Sequence, residues 1–314
     1  MHPAYSVIVF TTASGAGYGL LFWLSLARLV DLLPNEGWMP FVSLVLALVL
    51  ITTGLLASTL HLGHPERAIG AFSQWRSSWL SREGVLAVAT YVPSGLLALI
   101  WLFGAGGAAE PALALLSALG AVGTVYCTGM IYGSLRTIRQ WFHPLTAFVY
   151  LSLSAATGAI LLGLLMSFFG GVPTWVSALV VTSLGVAAAI KLTYWHQIDA
   201  DPGKYTAEMA TGLVGPGGTV RPLDPPHTRP NFVMLEMGYQ VGRKHALALR
   251  RLGVVLTFVV PGATALIVLF TSGWPILLYS LITLAAALGV LVERWLFFAQ
   301  AEHVSQLFYG AARA

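Results

Sequence analysis

Residues 38–60, WMPFVSLVLALVLITTGLLASTL, contain no charged side chain. A helix needs about 20 mostly apolar residues to cross the hydrocarbon core of a bilayer, so this run predicts one membrane-spanning helix. Strands that cross a membrane alternate apolar and polar side chains over about 10 positions, and this run does not alternate. The stretch therefore predicts an α-helical membrane protein.

The composition of the whole chain agrees with that prediction. The 314 residues are 57% hydrophobic and only 9% charged, whereas ordinary soluble domains carry about 25% charged residues. This excludes a soluble globular enzyme, because too few charged side chains are present to cover a water-facing surface. The single cysteine, Cys127, excludes a disulfide framework and any iron–sulfur cluster ligated by this chain alone.

Seven further apolar runs complete the predicted fold class, an all-α polytopic membrane bundle with eight transmembrane helices. We expect residues 1–314 to form a single membrane-integral domain, in which residues 194–251 make a cytoplasmic docking loop between the sixth and seventh spans. The predicted spans cover residues 5–30, 38–61, 84–106, 111–135, 144–169, 172–193, 252–271 and 274–296.

The distribution of positive charge predicts the orientation of the chain. Eight crossings place both termini and the second, fourth and sixth loops on one side of the membrane, which we call side A. Of the 16 lysine and arginine residues, all but Arg28 fall on side A, and Arg28 falls on the opposite side B. Because cytoplasmic loops carry an excess of Lys and Arg, both termini are predicted to be cytoplasmic.

Histidine and acidic residues are also concentrated at the side-A ends of the spans, and no histidine lies on side B. A transmembrane proton path needs polar groups at several depths, and stacked bis-histidine haems need histidines on both sides. The sequence therefore favours a pocket at the side-A face. Lys191 is expected to extend to the side-A surface, and Trp141 and Trp195 are expected to anchor the membrane interface.

The strongest local cluster is the stretch STLHLGHPERAIGAFSQWRSSWLSRE, residues 58–83. His61 ends an apolar run, and His64 follows three residues later on the same helical face. Histidine titrates near neutral pH, so with Glu83 it could exchange protons with a quinone headgroup. The structural alternative is that these are interfacial residues, with Arg82 and Glu83 paired locally.

The same stretch resembles the signature of the DMSO reductase anchor-subunit family. That family comprises eight-span, quinone-reactive membrane subunits of complex iron–sulfur molybdoenzymes. The resemblance extends over essentially the whole chain, and four further segments particularly resemble the branch that serves cytoplasmic sulfite dehydrogenases. These segments are residues 129–146, 190–199, 229–252 and 293–310.

The resemblance implies a subunit of a quinone-dependent oxidoreductase that does not itself catalyse sulfite chemistry. It would pass electrons from a cytoplasmic sulfite-oxidising module to ubiquinone or menaquinone in the bacterial inner membrane. The molybdenum pterin and the iron–sulfur clusters would belong to two partners, a molybdopterin catalytic subunit and an iron–sulfur subunit. We expect no metal site, no haem and no nucleic-acid partner for this chain.

The resemblance also implies the site residues. In the family, the histidine of the LHLG motif and the acidic residue after the next Ser-Arg are associated with quinone reactivity, and they correspond to His61 and Glu83. We predict both as catalytic, and predict a quinone pocket formed by them with His64 and Arg67. The sequence departs from the family at His64, where many relatives carry arginine.

Two alternatives stay open. The same kind of anchor could work in reverse and oxidise quinol for a DMSO, thiosulfate or polysulfide reductase. A transporter, from a different functional class, would show inverted repeats and helices broken in mid-membrane. The sequence has no convincing repeat, which disfavours a transporter.

Overall fold

The structure, a computed structural model, has eight long apolar helices in the part of the chain that it describes. This confirms the all-α bundle, and the chain is an integral membrane protein. The described residues are 2–34, 37–60, 63–104, 106–201, 203–213, 220, 223–224, 228–229, 231–271, 273–311 and 313. The helices are α1 Tyr5–Leu29, α2 Met39–Thr59, α3 Trp79–Phe103, α4 Glu110–Gly133, α5 Thr146–Phe168, α6 Thr174–Ala200, α7 Ala246–Phe270 and α8 Pro275–Ala299.

Three helices extend five or more residues further toward side A than the apolar runs. α3 begins at Trp79, five residues before its apolar run, and its N-cap residue Ser78 accepts a hydrogen bond from the Ser81 amide at 3.4 Å. α6 continues to Ala200, seven residues past its predicted end, and α7 begins at Ala246, six residues before its predicted start. Hydropathy locates the apolar core of a helix, whereas backbone hydrogen bonding continues through the polar turns beyond it.

α1 and α5 cross at the centre of the bundle with their backbones in direct contact. A Cβ added to Gly19 would lie 1.8 Å from the Ser154 carbonyl oxygen, and one added to Gly158 would lie 2.0 Å from the Gly19 carbonyl carbon. The Ser154 hydroxyl donates to the Gly15 carbonyl oxygen at 2.6 Å. Such contacts hold helices together in lipid, where hydrophobic burial between them is weak.

The side-A loops are joined to both termini. The His2 amide donates to the Glu236 carbonyl at 2.7 Å, and the Val304 amide donates to the Thr137 carbonyl at 3.0 Å. An isolated antiparallel bridge pairs Thr206 with Arg313. The remaining short elements on this side are Pro65–Gln74, Ala207–Thr211, Phe232–Met237, Val241–Lys244 and Val304–Tyr309, and α7 contains a widened π-type turn at Val255–Val259.

Candidate functional site

Glu83 lies inside the bundle, in the second turn of α3, with 4% of its surface exposed. The Thr128 hydroxyl on α4 donates to Glu83 Oε1 and is also 3.0 Å from the Thr124 carbonyl oxygen. A protonated Glu83 could instead donate to the Thr128 oxygen, while the Thr128 proton turns to the Thr124 carbonyl. The carboxyl group therefore has a hydrogen-bond partner in either protonation state.

Arg82 does not neutralise this carboxyl group. Its Nε donates to the Trp75 carbonyl at 2.9 Å and its Nη2 donates to the Arg76 carbonyl at 2.6 Å. Its guanidinium lies 4.3 Å from the centroid of the Trp79 ring. Arg82 and Glu83 are therefore not paired with each other, which was the structural alternative for these two residues.

The other predicted pocket residues are separated from Glu83 or fall outside the description. His61 lies outside the described residues. His64 Nδ1 is 2.9 Å from Glu66 Oε1, and both side chains are about two-thirds exposed. Arg67 is also exposed, and its amide donates to the His64 carbonyl at 3.0 Å. Within the described residues, no hydrogen bond or ion pair joins His64 or Arg67 to Glu83.

A buried charged triad lies in the side-A halves of α6 and α8, and sequence reasoning missed it. Lys191 Nζ forms an ion pair with Glu293 Oε1, and Arg294 Nε lies 2.7 Å from Glu293 Oε2. All three side chains are at most 2% exposed. One carboxylate faces two cations, so the triad carries a net positive charge in a place where burying charge is costly.

The expectation that Lys191 extends to the surface is wrong. α6 continues to Ala200, so Lys191 lies nine residues, or about 14 Å, from the end of its helix. The interface role expected for Trp141 and Trp195 is wrong as well, since both rings are buried and the Trp141 indole donates to the Phe297 carbonyl at 3.0 Å. The sequence did carry a signal for the triad. Lys191 in the sixth span and the Glu293–Arg294 pair in the eighth span lie at similar depth.

Aromatic rings surround the cations of the triad. Arg294 Cζ lies 4.0 Å from the centroid of Tyr150, and Lys191 Nζ lies 4.5 Å from that of Tyr194. A cation over a ring face is stabilised by the ring quadrupole, and more so away from water. These contacts offset part of the cost of burying the two cations, but an aromatic ring does not replace a hydrogen-bond acceptor.

Ion pairs bind the side-A loops into one surface. Arg243 Nη1 lies 2.8 Å from Glu302 Oε1, and Arg139 Nη2 lies 3.7 Å from Glu302 Oε2. Arg250 pairs with Asp199 at the end of α6, through Nη2 and Oδ1 at 3.0 Å. These contacts join the loops that follow α4 and α6 to the segment after α8, so side A presents a connected polar face.

A polar cavity of about 390 Å³ opens on this face beside His143. Burial lowers the pKa of His143, and a hydrogen bond to Gln197 and the charge of Asp201 oppose that effect. Its Nδ1 accepts a hydrogen bond from the Leu145 amide at 3.2 Å, next to the first turn of α5. His143 therefore supports the α4–α5 turn.

Side B carries an ion pair of its own, between Arg28 and Glu110, that the sequence did not reveal. Arg28 Nε lies 2.6 Å from Glu110 Oε1 and its Nη2 lies 3.1 Å from Glu110 Oε2. The Trp101 indole also donates to Glu110 Oε1, at 2.6 Å. Both oxygens of the Glu110 carboxylate accept hydrogen bonds, and these bonds join α1, α3 and α4. Across the described residues, no three His, Cys, Asp or Glu side chains are grouped so that they could hold a metal ion.

The chain matches the family described as DMSO reductase anchor subunit (DmsC) over residues 1–311. It is also 34% identical to a sulfite dehydrogenase subunit of Allochromatium vinosum, with 98% of this chain and 99% of that protein covered. The chain therefore belongs to the DMSO reductase anchor subunit family, which confirms the prediction from residues 58–83. Its role is that of a membrane anchor in a molybdoenzyme complex, with catalytic and electron-transfer subunits as partners.

Proposed function

We propose that this chain is the quinone-reactive anchor of a molybdenum and iron–sulfur complex that passes electrons from sulfite to the quinone pool. The observation that carries the proposal is Glu83, a buried carboxyl group near the side-A end of α3 with a partner in both protonation states. Oxidation of sulfite to sulfate, in which water supplies the added oxygen atom, releases two electrons and two protons. Reduction of quinone to quinol takes up two of each, so the anchor needs a group that exchanges protons close to the membrane surface.

The substrate is inferred from similarity over nearly the full length to a sulfite dehydrogenase subunit. The anchor itself would contact quinone and its partner subunits. An iron–sulfur subunit and a molybdopterin subunit would dock on side A, where residues 194–251 and the ion-paired loops provide the polar surface. The excess of Lys and Arg on this side supports a cytoplasmic catalytic module and a location in the bacterial inner membrane, with both termini in the cytoplasm.

His61 and Glu83 have complementary roles in the proposal. His61 is the second residue after the end of α2 in the sequence, at the apolar–polar boundary. There a histidine can hydrogen-bond a quinone carbonyl while the isoprenoid tail stays in lipid. Glu83 would pass protons to and from the headgroup, and His64 and Arg67 would lie at the exposed mouth of the site. Ubiquinone and menaquinone share the two carbonyl groups that these contacts use.

The test replaces His61 and Glu83 in the assembled complex. His61→Leu is expected to lower quinone-linked turnover by about a hundredfold or more, the range for loss of a general acid–base group. Dye-linked sulfite oxidation and subunit assembly should be unchanged. Glu83→Gln should slow quinone-linked turnover and alter its pH profile. His196→Leu, an exposed side-A histidine on α6, is the matched control and should behave like the wild type.

The proposal fails if the assembled wild-type complex oxidises sulfite with dye but reduces no quinone. Normal quinone reduction by the assembled His61→Leu complex would remove that residue from the mechanism. In that case the His64→Leu variant decides whether the second histidine of the motif takes its place.

A further inference from the structure

An apolar groove opens on the lipid-facing side of the bundle between α1, α2, α5 and α8. Its volume is about 230 Å³, and its lining includes Ala16, Leu50, Leu161 and Ala287. Ala287 is exposed and lies twelve residues, or about 18 Å, from the side-A end of α8. The groove therefore faces the hydrocarbon core of the bilayer, and a lipid-soluble molecule could enter it from the side.

A smaller polar cavity of about 20 Å³ adjoins the groove. The groove and the cavity share the lining residues Thr12, Ala16, Thr157 and Val290. Space of this size holds one water molecule or one oxygen atom of a larger ligand. The groove thus has room for a ring, and the cavity has room for a single polar atom of that ring.

Hydrogen-bond donors dominate the free polar groups of this cavity. The hydroxyls of Ser14, Ser154 and Thr157 donate to helix carbonyls at 2.6–2.8 Å. The side chains of Arg294 and Tyr150 hydrogen-bond each other, and no other described residue accepts a hydrogen bond from either Nη atom of Arg294. Arg294 is 2% exposed, so its free donors require an acceptor inside the protein.

We propose that the groove binds an isoprenoid quinone, with its ring in the groove and one carbonyl oxygen in the polar cavity beside Arg294. The inference rests on the proposed function and assigns a headgroup site to it. A quinone carbonyl only accepts hydrogen bonds, which matches the Nη–H donors of Arg294 that the Tyr150 hydroxyl leaves over and the proton of that hydroxyl. A phospholipid phosphate, with its several oxygens, is too large for a cavity of about 20 Å³.

The location also suits the reaction. When an electron reaches a quinone, negative charge develops on its carbonyl oxygens, and a fixed, buried cation stabilises that charge. Arg294 supplies such a cation without giving up a proton, since guanidinium stays charged. Thr128 lines the same cavity and bonds Glu83, so the proposed proton-exchanging carboxyl lies one hydroxyl away from the carbonyl oxygen.

Photolabelling of the assembled complex in its native membrane, with an azido-substituted short-tail ubiquinone, tests the site. Ala287→Trp should fill the mouth of the groove and reduce labelling and bound endogenous quinone about tenfold or more. Leu288→Trp is the matched control, because Leu288 is an exposed neighbour on α8 that does not line the groove. It should leave labelling, bound quinone and turnover unchanged. In the wild type, the label should fall on peptides of α1, α5 and α8.

Arg294→Gln should weaken quinone binding about ten- to a hundredfold, the effect of losing a charged hydrogen bond, and Arg294→Lys should restore part of it. If the complex with Arg294→Gln does not assemble, the comparison of Ala287→Trp with Leu288→Trp still decides whether quinone binds in the groove. Label confined to residues 58–83, with Ala287→Trp equal to wild type, overturns this inference and leaves the proposed function intact. Phospholipid in place of quinone in the wild-type groove would overturn it as well. A wild-type complex that neither binds nor reduces quinone contradicts the proposed function itself.

Discussion

Removal of the single carboxylate of the buried triad should destabilise the chain far more than removal of one of its cations. Glu293→Gln leaves Lys191 and Arg294 as two buried cations with no counter-charge, whereas Lys191→Met leaves a neutral Glu293–Arg294 pair. Loss of one partner from a buried ion pair costs about 3–5 kcal/mol, while replacing a buried charge by an apolar side chain of similar size is often neutral. We therefore expect about 3–5 kcal/mol for Glu293→Gln and about 1 kcal/mol or less for Lys191→Met.

The assay is thermal unfolding of the full chain in detergent, followed by the fluorescence of its 10 tryptophans. At about 2–4 °C per kcal/mol, Glu293→Gln should lower Tm by roughly 6–20 °C and Lys191→Met by only a few degrees. Combining both changes removes one of the two unpaired cations, so the double variant should be more stable than Glu293→Gln alone. Equal Tm values for Glu293→Gln and wild type would refute the reasoning, and so would a Lys191→Met variant that is the less stable of the two.

Three further predictions follow from the packing, topology and titration of the chain. Gly19→Ala should destabilise the bundle by about 1–3 kcal/mol because its Cβ meets the α5 backbone, whereas Gly15→Ala, with no atom within 4 Å, should not; thermal unfolding compares them. A reporter fused after Ala314 should be active only as a cytoplasmic enzyme, and periplasmic activity would contradict the assigned orientation. Burial lowers the pKa of His143, so its contribution to stability is complete above about pH 6.5 and is lost as the pH falls through the lowered pKa. His143→Gln should flatten that loss in unfolding measured from pH 7 to pH 5.

The sequence predicted the bundle because crossing a bilayer requires long apolar helices, and charge-free runs show them directly. It did not predict how far α3 and α6 continue through polar turns. That extension decides the site, since it places Glu83 inside α3 and Lys191 about 14 Å from the end of α6. Hydropathy treats a charged residue as the end of a span, so a buried charge close to that end is assigned to the surface.

Pairing between helices was the second feature that the sequence could not provide. Thr128 looks like an ordinary helix residue until the packing of α4 against α3 brings its hydroxyl to Glu83. Glu293 and Arg294 are neighbours in the chain, but their partner Lys191 is about 100 positions away on α6. Residue types at one depth suggest candidates, and only the rotation of each helix decides which side chains face each other.

The Arg28–Glu110 pair on side B and the buried triad on side A differ in how many of their hydrogen-bonding groups have a partner. On side B, both oxygens of Glu110 are bonded, and Arg28 reaches them through two nitrogen atoms. On side A, Arg294 uses Nε for Glu293 and lines a cavity in which the Tyr150 hydroxyl is the one described partner of its two Nη atoms. A cluster that serves only to join helices gains nothing from buried donors without acceptors, because each of them costs desolvation. Free donors beside a lipid-accessible groove are stabilised once an acceptor arrives from the membrane, and that is the property a binding site for a quinone requires.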